Sequence, residues 1–413
     1  MSAMKKLFSL QGSVGSHSIY CWQKTLGNYL ASTNGENTVN IYDRHGNLVK
    51  DIDLPGAVTG LGWDKDGDIL SIITDKSHII FLWDANSQRT FQVDSSLRDP
   101  LTFLAWSKTG SLLAIGTAKG NLLIYDHRTS RKIPILGKHT KRITCGSWSK
   151  GGLLALGSDD KTFSITNADG DTVKQETVRE IPSDIQFSEM KMDERSKVGE
   201  DTVSLVLAKK SLFLYNMSDP TNPIELAFQN KYGNIIDYKW FGDGYILIGR
   251  LDKIYQQRDH KDRLSSIDIN DSIDMAASAG DNSIRVHMAS DMKEVTSIIT
   301  LDEERSVDRI SWTDDGQLLA VSTPKGNLHV FLTRLPILGD SHNTRIAFLT
   351  SLLEVTIQDS VNGEQPVTVP IEIEPTLVGL GPYHLATAMN NRVWFYVLAP
   401  GDSCLLSSQT HKA

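Results

Sequence analysis

The sequence predicts an all-β chain of radially repeated four-stranded sheets, and three observations predict it. First, residues 106–125 are written again at 312–331. The two copies agree at Trp106/Trp312, Gly110/Gly316, Leu112/Leu318, Leu113/Leu319, Ala114/Ala320, Thr117/Thr323, Lys119/Lys325, Gly120/Gly326, Asn121/Asn327 and Leu122/Leu328. Second, Trp22, Trp63, Trp106 and Trp148 recur at spacings of 41, 43 and 42 residues, and Phe187 follows 39 residues later. Third, each unit reads as a strand ending in an aromatic, a polar turn, a buried apolar strand, a second turn and a third strand, with no room for helices. A period of about 40 residues holding four short strands is the signature of a β-propeller of WD-repeat type.

Lys5 to Leu10 is a short apolar segment outside the repeat register. It is expected to close the ring as a strand lent to the last blade, because closure removes an exposed edge. Unit one carries Trp22, and unit two runs from Ala57 to Val93 with the naming dipeptide at Trp83 and Asp84. Unit four opens on Gly137, Lys138 and His139. In blades of this type a His before the first strand bonds an Asp in the turn between the second and third strands. His139 and Asp160 are 21 residues apart, as are His260 and Asp281, so both pairs are read as structural ties.

Unit five is interrupted at 189–201 by a charged run that cannot bury enough surface to order itself, and it is expected to be a mobile loop. Unit six is short. Only 29 residues separate Trp240 from Ile269, so the blade near 231–259 is expected to be incomplete. The preferred division is a seven-bladed first propeller over 5–300, the opening units of a truncated second propeller over 301–398, and a disordered tail at 399–413. An eight-bladed ring reaching 335 is the alternative.

At 413 residues with a formal charge of −8, the chain is not a general nucleic-acid binder by composition. Cys21, Cys145 and Cys404 are its only cysteines, which gives neither a disulfide framework nor zinc spacing. No stretch reads as a signal peptide or transmembrane segment. A cytosolic protein is expected, one that reaches membranes through partners.

Phosphate-loop, zinc-protease, Cys-x-x-Cys and nucleophile-elbow motifs are absent. The carboxylates Asp64, Asp66, Asp68, Asp314 and Asp315 follow the repeat turns, where Asp beside Gly is selected by turn geometry. No catalytic residue, cofactor or metal is expected. One charged cluster stands out: Arg128, Arg131, Lys132, Lys138, Lys141 and Arg142, with no acid between Asp126 and Asp159. It is a candidate patch for an acidic partner or anionic lipid headgroups, against the plainer reading of a solvated face.

The wording of 137–146 (Gly-Lys-His-Thr-Lys-Arg-Ile-Thr-Cys-Gly), 311–320, 335–340, 350–355 and 389–397 is more specific than a generic WD repeat. Over residues 5–398 the chain resembles the N-terminal region of the WD-repeat core subunits of intraflagellar transport complex A. The resemblance implies a non-catalytic scaffold of two tandem propellers and a helical solenoid. Such a scaffold works in retrograde ciliary transport, cilium assembly and membrane-protein delivery, in the cytoplasm and in the cilium at basal body and axoneme. Its partners would be the other subunits of that complex and cargo adaptors. The chain stops within the second propeller and its last residues depart from the family, so it reads as a truncated or alternatively spliced form. The rival readings are a coat-type or ubiquitin-ligase adaptor propeller and, from another class, a hydrolase propeller with facing carboxylates in its channel.

Overall fold

Adjacent sheets pack face to face through their second and third strands, which are apolar on both sides for that reason. Ile69–Thr74, Leu154–Ser158 and Leu318–Ser322 are buried at every position. Strands covered on both faces read as continuous apolar runs. The outermost strand of the fourth sheet, Thr172–Thr177, is exposed throughout.

The computed structural model describes residues 4–398 apart from 13–18, 34–36, 189–201, 230–232, 243, 251–252, 255–259, 261–262, 364 and 390–391. The expected mobile loop at 189–201 and the expected disordered tail at 399–413 therefore lie outside the described residues. The chain divides into two compact units, Met1–Leu332 and Thr333–Ala413.

The first unit is a ring of eight antiparallel sheets. Their innermost strands are Ile19–Trp22, Val58–Trp63, Leu101–Trp106, Ile143–Trp148, Pro182–Ser188, Ile235–Phe241, Leu264–Asn270 and Arg309–Trp312, numbered here as blades 1 to 8. Lys5–Leu10 pairs antiparallel with Leu328–Leu332, Lys5 opposite Leu332 and Leu10 opposite Leu328. It is the outer strand of blade 8.

That pairing corrects the preferred seven-bladed reading and its boundary at 300. The sheet around Trp312 takes its fourth strand from the N-terminal segment, so it closes the first ring and does not open the second. The eight-bladed alternative is the architecture found. Blade 6 shows three strands among the described residues, the third only Lys253–Ile254.

Four of the tryptophans fasten their blade to the one before it. The indole N–H of Trp106 donates to the Gly62 carbonyl at 3.1 Å and to Ser71 Oγ at 2.8 Å. That of Trp148 donates to the Ala105 carbonyl at 3.0 Å, and that of Trp240 to Ser204 Oγ at 2.9 Å. A large aromatic that fills the gap between blades recurs in most blades, which is the physical origin of the sequence period. The indoles of Trp63 and Trp312 are buried there without a hydrogen-bond partner among the described residues.

The second unit holds a four-stranded sheet from Gly339–His342 to Val367–Pro370 and a three-stranded sheet from Leu377–Leu380 to Arg392–Val397. They share a core of Val355, Val369, Leu385 and Tyr396. Asp340 Oδ2 accepts the Leu380 N–H at 2.8 Å, which joins the two sheets. Among the described residues no α-helix occurs, and no helix is long and apolar enough to cross a membrane.

Candidate interaction surface

Antiparallel sheets divide the loops of a ring between two ends. Turns joining first to second and third to fourth strands lie at one end. Turns joining second to third strands, and the links between blades, lie at the other, called here the link face.

On the link face His139 reaches across from the link before blade 4 to the turn after its second strand. Its Nδ1 lies 3.3 Å from Asp160 Oδ2 and 2.9 Å from Thr162 Oγ1, and its Nε2 lies 2.9 Å from Ser164 Oγ. Asp160 also accepts the Thr140 N–H at 2.9 Å. Burial holds the imidazole pKa below its ordinary value against the pull of Asp160. In blade 7 His260 Nδ1 lies 3.3 Å from Asp281 Oδ1, and its Nε2 lies 3.0 Å from Ser278 Oγ. Both pairs leave the imidazole engaged at each nitrogen.

Two further ties went unread in the sequence although the repeated stretch spells them. In blade 3 the acid comes from the link and the turn supplies the donors. Lys119 Nζ lies 2.8 Å from Asp99 Oδ1, and Asn121 Nδ2 donates to Asp99 Oδ2 at 2.7 Å. The hydrogen bond from Lys119 leads the forces that hold the Asp99 carboxyl below its usual pKa.

Blade 8 repeats the arrangement at Glu304, held by Lys325 at 3.3 Å, Asn327 at 2.7 Å and His329 at 3.4 Å. Burial pushes the Glu304 pKa up, but the hydrogen bonds from Asn327, Lys325 and His329 outweigh it and hold the carboxyl low. The identities Lys119/Lys325 and Asn121/Asn327 were the available signal. Gly120 between them has φ +84, and a Cβ there would sit 2.2 Å from the His139 carbonyl oxygen, so only glycine fits.

The basic cluster does not form one patch. Arg128 stands in the turn before the strand Arg131–Ile135, and Arg131 and Lys132 begin that strand, at the end opposite the link face. Lys141 and Arg142 are exposed on the link face. Lys138 is 7 % exposed, with Nζ donating to Thr172 Oγ1 at 2.7 Å and to the Gly170 carbonyl at 3.3 Å. Desolvation lowers its pKa to about 8 despite nearby Asp171. It is a structural lysine, and sequence adjacency misassigned it.

The ring's inner edge is uneven. The innermost strands of blades 1 to 4 hold no charged residue, whereas those of blades 5 to 8 carry Asp184, Asp237, Lys239, Asp268 and Arg309. Lys239 Nζ lies 3.8 Å from Asp268 Oδ1 across blades 6 and 7. Burial lifts the Asp237 carboxyl to about 6, opposed by Lys239 and reinforced by Asp184 and Asp268. Asp64, Asp66 and Asp68 gather in one turn, where Asp64 caps the Ile69 N–H at 2.9 Å and Lys65 pairs with Asp66 at 2.7 Å.

The family described as WDR19 first beta-propeller matches residues 18–326, and that described as WDR19 second beta-propeller matches 346–412. The chain belongs to the WDR19 β-propeller family. WD repeat-containing protein 19 of mouse and of human are each 52% identical over 96% of this chain. WD repeat-containing protein dyf-2 of Caenorhabditis elegans is 36% identical over 92% of it. The chain spans about a third of the length of these WDR19 relatives, 31% for the mammalian proteins and 28% for the worm protein. The family's first-propeller match ends six residues before the first unit does, and its second-propeller match lies wholly within the second unit. The computationally designed protein Ika8 shares the fold, at TM-score 0.61 and 16% identity over 80% of this chain and 100% of that one.

Proposed function

We propose that this chain is a non-catalytic scaffold of intraflagellar transport complex A. It would act in retrograde ciliary transport, cilium assembly and ciliary membrane-protein trafficking, in the cytoplasm and the cilium. The observation that carries this reading is the 52% identity to mammalian WD repeat-containing protein 19 across both propeller units. The polar chemistry supports a scaffold. His139, His260, Asp99, Asp160 and Glu304 are each spent in ties between links and turns, which stiffen the loops that a platform offers to partners.

A second reading has one observation in its favour. The raised Asp237 carboxyl among Asp184 and Asp268 is the kind of group a hydrolase propeller would use. Lys239 stands within ion-pair reach of Asp268 beside it, which fits a clasp between blades better than an open acid/base pair.

Affinity isolation of the tagged chain from ciliated cells tests the proposal. Co-isolation of the complex A subunits is the expected result. Recovery of vesicle-coat or ubiquitin-ligase subunits without ciliary transport proteins would overturn it, and glycoside hydrolysis lost in Asp237→Asn would favour the hydrolase.

A further inference from the structure

The link face gathers exposed cations on one arc and mixes both signs across the ring. Arg98 lies in the link to blade 3, Lys141 and Arg142 in the link to blade 4, and Lys209 and Lys210 in the second turn of blade 5. All five are exposed, and none is in an ion pair among the described residues. The acids of the same loops are largely taken. Asp99 is held by Lys119 and Asn121, Asp160 by His139 and Thr140, and Glu180 by Lys161 at 3.3 Å. Asp159 is the acid left beside the five cations.

Between them stand two uncovered apolar side chains, Leu136 at 75% and Ile181 at 40% exposure, in the links to blades 4 and 5. Across the ring, the link to blade 8 carries Asp302, Glu303 and Arg305, all exposed, on the same face.

We propose that the link face over blades 3 to 5 docks an acidic polypeptide segment bearing an apolar side chain, with Arg98, Lys141, Arg142, Lys209 and Lys210 facing its carboxylates and Leu136 and Ile181 its apolar group. Charge complementarity selects the sign of the partner and speeds its arrival. The gathering of five cations on one arc selects a segment over a membrane, because a bilayer laid across this face would also meet Asp302 and Glu303. This deepens the scaffold proposal, on which it rests for the partner being a protein.

The test uses the purified chain and fluorescein-labelled peptides of about twelve residues, roughly 40 Å when extended. One peptide is all Glu, one is Glu with Leu at every fourth position, and one is neutral Gly-Ser. Binding of both acidic peptides that weakens with salt is expected, the Leu-bearing one tighter. The quadruple variant Lys141→Glu, Arg142→Glu, Lys209→Glu, Lys210→Glu should lose about tenfold in affinity or more. The triple reversal Arg128→Glu, Arg131→Glu, Lys132→Glu at the opposite end should change it by less than about twofold. Leu136→Ser with Ile181→Ser should erase the preference for the Leu-bearing peptide.

Equal losses in the two reversals would overturn the proposal, as would no binding of either acidic peptide. Capture by phosphatidylserine vesicles without peptide binding would make the surface a lipid site and overturn it too. Thermal midpoints screen each variant, and Lys141→Gln with Arg142→Gln replaces the quadruple variant if that one unfolds. If reversal leaves binding unchanged while complex A subunits still co-isolate, the surface fails and the scaffold stands. If they do not co-isolate from cells, the scaffold fails whatever the peptides do.

Discussion

The indole N–H of Trp22 donates to the Ser311 carbonyl at 3.2 Å, joining residues 289 apart in the chain. This is the bond that Trp106 and Trp148 make to their preceding blades, placed where the first blade meets the last. Tyr20 adds to the seam, its hydroxyl donating to the carbonyls of Arg309 at 3.0 Å and Ala320 at 3.2 Å.

Removing the bond while keeping an aromatic should weaken the ring without opening it. Trp22→Phe is expected to cost about 1–3 kcal/mol, from a buried carbonyl left short of a donor and a smaller ring in a tight site. Deleting residues 5–10 should cost more, because it strips the outer strand from blade 8 and exposes the edge of Leu328–Leu332. Urea denaturation followed by tryptophan fluorescence measures both.

The two donors to Asp99 should differ in worth. Asn121 is partly buried and its bond reaches a carboxylate that is 8% exposed, so Asn121→Ala should cost about 1–3 kcal/mol. The Lys119 side chain is 76% exposed, and an ion pair with one such solvated partner is worth about 1 kcal/mol or less. A double-mutant cycle of Lys119→Met and Asn121→Ala in denaturant checks the order.

Stability should carry a signature of Asp237. Its folded pKa of about 6 lies above the ordinary 3.8, so between those values the folded chain holds a proton that the unfolded chain has released. That contribution is complete below about pH 4 and is lost as pH rises through about 6. His139 and His329, whose pKa values are lowered by burial, act in the opposite direction, gaining stability as pH rises. Comparing thermal midpoints of the native chain and Asp237→Asn at each pH cancels the histidines. The variant should be the more stable at pH 7 and the difference should vanish near pH 4. A difference independent of pH would contradict the assignment.

Neighbouring lysines should behave oppositely. Lys138 is enclosed by Gly170 and Thr172 while Lys141 is in solvent. An amine-reactive reagent should label Lys141 in the native chain and leave Lys138 unmodified until unfolding, read by peptide mass. Lys138→Ala should lower the thermal midpoint, whereas Lys141→Ala should leave it within the small range of exposed substitutions.

The ties show what a sequence displays and what it hides. His139 with Asp160 and His260 with Asp281 were legible because one spacing recurs with residue types that bond at that reach. Asp99 with Asn121 and Glu304 with Asn327 were not, although the Lys-Gly-Asn repeat was in plain view. There the acid sits on the other partner, so no His marks the link. The basic run from Arg128 to Arg142 misled for a topological reason. A strand lies between its ends, and a strand carries the chain from one end of the ring to the other.

By itself the sequence determined the repeat and its four-stranded unit, marked by the returning tryptophans, because both follow from local periodicity. The number of blades was decided only by the tertiary structure. Closure depends on which strand edge Lys5–Leu10 meets, and a partner more than 300 residues away leaves no mark on the segment that finds it. The division of the charges between two faces was decided in the same way, by the direction in which each strand crosses its sheet.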